Sequence, residues 1–239
     1  MRDHFKGKVV GVTGSSGKTS TKDMLSILLG KGDTLSTRGN LNNHLGIPLT
    51  LVQIDSAQHK CAVIEAGINK VGEMQGHSRM ISPNLVVISS IGPSHLEGLG
   101  SVENVAKEKA LLFRESKNLE KAIFPEDCMK YECFAEWVNE GKRCTILKKG
   151  EPKQEPSFNE AFYDFWTETN NTGRSVTIRL WRHRSPVFSI SMPPMSDGIA
   201  SNMALSILTA SEMGVTDQEI SERLPQYRPS ALRGKRLQG

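Results

Sequence analysis

The run Gly11-Val12-Thr13-Gly14-Ser15-Ser16-Gly17-Lys18-Thr19-Ser20 sets a glycine-rich loop between an apolar segment (Val9, Val10, Val12) and a helical pattern (Met24, Leu25, Leu28). In that setting the chemistry is anion binding. Glycines let backbone N–H groups converge on phosphate oxygens, and the positive end of the following helix favours the anion. Gly14, Ser15, Ser16, Gly17, Lys18, Thr19 and Ser20 are therefore the candidate phosphate cradle, with Lys18 as a mobile charge and the Thr19 hydroxyl suited to Mg2+. The spacing departs from the usual G-x-x-x-x-G-K-[ST]: Val12 stands at the first glycine's place and Gly14 comes two residues late, which points to a subgroup of P-loops.

Three further places can contribute side chains. Glu65 ends the apolar run Cys61-Ala62-Val63-Ile64, and a carboxylate there can hold Mg2+ opposite Thr19. A solvated or lysine-paired glutamate is the plainer alternative. His95 follows Leu85 to Gly92 within Ser94-His95-Leu96-Glu97-Gly98, where it is either a structural imidazole or a metal ligand. Along Val102 to Phe113 the apolar residues recur at i, i+3, i+4 and i+7, which puts Lys109 on the inward face and Lys107 outside. Burial lowers the pKa of such a lysine, and the neutral amine can act directly or add CO2 to form a carbamate. Alternatively Lys109 snorkels to solvent or pairs with Glu65, Glu97 or Glu108. The stretch Thr37 to Pro48, with Gly39-Asn40-Leu41-Asn42-Asn43 at its centre, is too rich in Gly, Asn and Pro for a regular element and reads as a loop.

The elements that must carry these residues follow from hydrophobic pattern. Val9–Val12, Ala62–Ile64 and Leu85–Ile88 read as buried strands, with helical patterns after the first and third, so a P-loop α/β fold with a mostly parallel sheet flanked by helices is expected. Ala122–Phe124 and Thr145–Leu147 are weaker strands. After the polar stretch Lys149 to Glu160, Val176–Leu180 and Val187–Met192 alternate as an antiparallel edge pair joined through Arg182–Pro186. Helices are expected over Ala200–Met213 and Asp217–Leu224, the second capped by Thr216. Residues 1–228 then form one domain, and 229–239 read as a linker or the start of a further domain.

Bulk properties narrow the class. The chain has 239 residues, 37% hydrophobic and 23% charged, with a formal charge of +4 spread without a basic stripe, so no nucleic-acid partner is expected. No apolar run approaches the roughly 18 residues of a membrane span, and the N-terminus lacks a signal-peptide core. Four cysteines without a CxxC pair suit reduced thiols. A cytoplasmic protein that does not engage a membrane is the expectation.

Taken in order, Gly11 to Thr19, Gly39-Asn-Leu-Asn-Asn43 with Gly46-Ile-Pro48, Ile64-Glu-Ala-Gly67 with Gly72-Glu73, His95-Leu-Glu97 and Ala106-Lys-Glu-Lys109 resemble the central ATP-binding domain of the Mur ligases. The resemblance implies an ATP-dependent carbon–nitrogen ligase of peptidoglycan precursor synthesis, in which ATP converts a UDP-MurNAc-peptide carboxylate to an acyl phosphate that an amine attacks. The GNLNN and HLEGLGS segments are most similar to the branch whose amine is D-Ala-D-Ala. By resemblance Lys18, His95 and Lys109 are catalytic; Thr19, Glu65, His95 and the carbamylated Lys109 hold metal; Asn40, Asn42 and Asn43 lie beside the acceptor substrate. Asn202 matches an asparagine near the adenine, and Arg233 is a further nucleotide-facing residue.

The chain departs from the family pattern at Gly198 and Ile199, where a His and an Asn or Gln usually precede the position of Asn202. Pro125 replaces a frequent asparagine before Asp127. Complete ligases add an N-terminal domain that grips the UDP group and a C-terminal domain that closes over ATP, and neither is expected within this chain. A folylpolyglutamate or poly-γ-glutamate synthetase-like ligase is the alternative within enzymes, and a non-catalytic, partner-dependent ATP-binding module the alternative outside them.

Overall fold

The computed structural model describes residues 4–150, 161–182 and 185–228. Its frame is one nine-stranded sheet in the order β2-β3-β1-β4-β5-β6-β7-β8-β9, formed by Thr34–Ser36 (β2), Cys61–Glu65 (β3), Lys8–Thr13 (β1), Leu85–Ile88 (β4), Lys121–Pro125 (β5), Cys144–Lys149 (β6), Phe162–Thr169 (β7), Val176–Arg182 (β8) and Ser185–Met192 (β9). Every pairing from β2 to β7 is parallel, and β7-β8-β9 is antiparallel. The expected mixed sheet is thus present. Its central strands are buried on both faces, which is why Val9, Val10 and Val12, or Val86, Val87 and Ile88, read as unbroken apolar runs.

Helices cover both faces. Lys18–Leu28 (α1), Asp197–Glu212 (α7) and Asp217–Arg223 (α8) close one core around Met24, Leu25, Val87, Ile178 and Leu205. Gly46–Leu51 (α2), Glu73–Ile81 (α3), Val102–Arg114 (α5) and Glu132–Asn139 (α6) share the opposite core with Ile64, Val86, Phe113 and Phe124, and the short Leu96–Leu99 (α4) precedes α5. On β8 and β9 the alternation works as read: Val176, Ile178 and Leu180 face Met192, Ile190 and Phe188 across the ladder and enter the α7 core.

Two expectations need correction. The stretch from Thr37 to Pro48 is not wholly loop, because Gly46, Ile47 and Pro48 open α2. Proline is tolerated there, since its missing N–H falls within the first turn, and the Asn43 side-chain oxygen accepts from the N–H groups of Leu45 (3.1 Å) and Gly46 (2.9 Å). The edge hairpin is also tighter than Arg182–Pro186 implied. Arg182 pairs with Ser185 inside the ladder, so the connection shrinks to positions 183–184, outside the described residues. The 229–239 segment, with Arg233, also lies outside them.

Candidate functional site

The P-loop leaves β1 at the carboxyl edge of the sheet and turns into α1 through Gly17, whose φ of 80° is left-handed. Only glycine suits this position, because a Cβ there would also lie 2.5 Å from the Asn202 Nδ2 atom. Asn202, buried on α7, thereby lies against the loop at Gly17. Two loop amides face neighbouring backbone: Ser15 N–H donates to the Ser90 carbonyl (2.9 Å) and Ser16 N–H to Ser90 Oγ (3.0 Å). Ser15 Oγ donates to the Gly92 carbonyl (2.8 Å) and contacts Ser94 Oγ at 3.1 Å. The loop after β4, which leads to His95, is therefore laced to the phosphate cradle. Lys18 Nζ rests on the Gly14 carbonyl at 2.9 Å.

Across the cradle, β3 delivers Glu65 to its carboxyl end, 1% exposed. Thr19 Oγ1 sits 3.5 Å from Glu65 Oε1, and that oxygen also accepts from Asn42 Nδ2 at 2.7 Å. Glu65 Oε2 is buried with no hydrogen-bond partner. An unsatisfied buried carboxylate oxygen is costly, and beside a hydroxyl it offers the oxygen donors that Mg2+ takes. The residues present fit that cation. Two protein donors, at Thr19 and Glu65, would leave coordination positions for phosphate oxygens and water, the usual arrangement for Mg2+.

Lys109 lies on the inward face of α5 as its spacing required, 1% exposed, with Lys107 exposed. The alternative that it pairs with Glu65, Glu97 or Glu108 is not realised: no ion pair joins them. Burial, helped by the nearby Lys18 ammonium, pulls its pKa down to about 7. Near neutral pH a substantial share of Lys109 is therefore the neutral amine, within electrostatic reach of Lys18. His95 is exposed with a left-handed φ of 52° at the start of α4, a backbone state that non-glycine residues adopt at a cost.

A cavity of 180 Å³ opens beside Asn202, lined by Ser16, Ser90, Pro125, Asp127 and Gly198 among others. The positions where the sequence departs from the family pattern, Pro125 and Gly198, thus wall one pocket. Ser89 and Ser90 line it too and escaped the sequence reading, although polar residues directly after a buried strand are the ones that reach such a site. Of the loop asparagines, Asn42 turns to Glu65, Asn43 serves the start of α2, and Asn40 is exposed.

Strand, glycine-rich turn, helix and a facing strand-end carboxylate define a P-loop α/β domain of the nucleotide-binding kind. The Mur ligase middle domain family matches residues 12–210, and the chain belongs to that family. A UDP-N-acetylmuramoyl-tripeptide--D-alanyl-D-alanine ligase of Buchnera aphidicola is 38% identical over 148 residues, which are 62% of this chain and 32% of that enzyme. Crystal structure I of MurF from Acinetobacter baumannii superposes with a TM-score of 0.77 at 28% identity, covering 96% of this chain and 48% of that one. MurF from Thermotoga maritima, solved in complex with ADP, shares the fold with a TM-score of 0.73 at 23% identity, over 92% of this chain and 49% of its own. The chain thus spans less than half the length of each of these three relatives.

Proposed function

We propose that this chain is the ATP- and Mg2+-binding core of an amide ligase of peptidoglycan precursor synthesis, joining D-Ala-D-Ala to a UDP-MurNAc-peptide in the cytoplasm. The observation that carries the reading is the meeting of the P-loop hydroxyl of Thr19 with a buried Glu65 whose Oε2 lacks a partner. The names of the relatives supply the substrates.

In this reading the amides at the start of α1 and Lys18 cradle the terminal phosphates, and Asn202 with the cavity beside it receives the base. Thr19 and Glu65 would hold Mg2+, and the chemistry it would supply there is neutralisation of phosphate charge. The neutral amine of Lys109, whose share burial raises, forms a nitrogen–carbon bond to CO2 and releases a proton to solvent, giving a carbamate anion that offsets the nearby Lys18 charge and supplies a further oxygen donor. His95 and Asn40, both exposed at the carboxyl edge, face the acyl acceptor side. Residues 1–228 form the central domain.

The test is a graft of this chain into MurF from Acinetobacter baumannii in place of the segment it matches. Phosphate release from ATP that requires both UDP-MurNAc-tripeptide and D-Ala-D-Ala is the expected result, lost in Lys109→Ala. Release independent of both substrates, from a graft that still binds nucleotide, contradicts it.

A further inference from the structure

The amide of Asn42 points at the cation subsite. Its Nδ2 donates to Glu65 Oε1 at 2.7 Å, the oxygen that Thr19 also approaches, and leaves Oε2 buried and without a hydrogen-bond partner. The Asn42 carbonyl accepts from Gly67 N–H at 2.7 Å, so backbone and side chain of one residue grip both sides of the Glu65 segment. The grip is anchored from behind. Glu65 N–H donates to Thr37 Oγ1 at 2.9 Å, and Thr37 N–H donates to the Val63 carbonyl at 3.1 Å. Lys22 Nζ, its side chain 6% exposed and paired with Asp23 at 2.8 Å, donates to the Thr37 carbonyl at 2.9 Å. Lys22 stands one turn beyond Lys18 and Thr19 on α1, so one helix fixes both the hydroxyl of the subsite and the loop that orients its carboxylate.

A glutamate side chain has rotamer freedom that a metal site must remove. An amide donor to one carboxylate oxygen is a charge-assisted bond that does so and commits the other oxygen to the cation. We propose that Asn42, whose side chain holds Glu65 while Thr37, itself held by Lys22, holds the backbone of the same glutamate, is a positioning residue for Glu65 rather than a contact to the acceptor substrate. This rests on the reading of Thr19 and Glu65 as the Mg2+ subsite.

The test uses the full chain with Mn2+ as probe, titrated by electron paramagnetic resonance in the presence of ADP, and ADP binding measured separately in EDTA. Asn42→Ala is expected to weaken Mn2+ binding about 10- to 100-fold, the usual cost of removing an outer-shell partner, with ADP affinity in EDTA unchanged. Gly67→Ala gives a second route that leaves Asn42 in place: its Cβ would lie 3.1 Å from Asn42 Cγ and Oδ1, pushing the amide off the carboxylate and producing a smaller, equally metal-specific loss. A role confined to folding would lower ADP binding in EDTA as well, and a role confined to the acceptor would leave Mn2+ binding at the wild-type level. Either result overturns the proposal. Glu65→Ala separates the two layers: if it abolishes Mn2+ binding while Asn42→Ala does not, only the positioning role fails, and if it changes nothing the cation subsite itself is wrong.

Discussion

Lys109 carries the sharpest consequence at the scale of single residues. In the unfolded chain its amine keeps a proton up to the ordinary lysine value of 10.5, whereas in the fold burial and Lys18 bring that value to about 7. Unfolding therefore takes up a proton between these limits, so folding stability rises with pH across that window, and the penalty is complete below it. Lys109→Met is expected to stabilise the chain at about pH 6 and to remove a slope of up to about 1.4 kcal/mol per pH unit above pH 7. Urea denaturation in CO2-free buffer at several pH values measures it, and parallel pH profiles for the two proteins would count against the buried amine. The phosphate loop gives a second outcome. Gly17→Ala forces a side chain into a left-handed turn and against Asn202, so nucleotide binding should fall at least tenfold, read by calorimetry.

Among the elements, the interior of the α5–α6 layer and the caps set the stability. Phe113 stacks on Phe124 and meets the edges of Phe134 and Trp137; Phe113→Ala should cost about 3–5 kcal/mol in denaturant unfolding, the range for a large buried aromatic. Thr216 forms a complete capping box with Glu219 on α8, and Thr216→Ala should cost about 1 kcal/mol. That cap was legible in the sequence, as were the strands buried on both faces and the inward side of α5, because each repeats one physical signal over several residues. Other elements were not. β2 is three residues long, too short for any period. β7 carries adjacent aromatic pairs, Phe162-Tyr163 and Phe165-Trp166, rather than an alternating apolar face, and only Phe165 is fully buried, so its place depends on β6 and β8 on either side. In α3, Gly76, His77 and Ser78 dilute the apolar stripe, and tertiary packing against α5 decides the helix. At the site, residue type and spacing singled out Thr19, Glu65 and Lys109, and the family resemblance singled out Asn202, but the turn of Asn42 towards Glu65 and the serine lacing from Ser89 and Ser90 depend on contacts between distant segments that no local pattern encodes.

For the whole molecule, sheet order explains why the site lies where it does. β1 sits between β3 and β4, so the P-loop, Glu65 and the loop leading to His95 leave three adjacent strands at one edge, while α7 crosses above to bring Asn202 onto Gly17. The proposed phosphate and cation subsites thus come from a single sheet edge and the proposed base subsite from α7 above it, while the antiparallel β7-β8-β9 extension lies at the far side from Glu65. The chain covers 48% of the Acinetobacter baumannii MurF structure, and what it holds is the nucleotide-handling part of the proposed ligase. The most direct measurement is calorimetric ATP binding to the full chain with Mg2+ and with EDTA, for wild type, Lys18→Ala and Glu65→Ala. Binding strengthened by Mg2+, weakened in both conditions by Lys18→Ala and only in Mg2+ by Glu65→Ala, is the expected result. ATP binding indifferent to Mg2+ and to Glu65, or no ATP binding by the folded chain, would contradict the nucleotide–cation core.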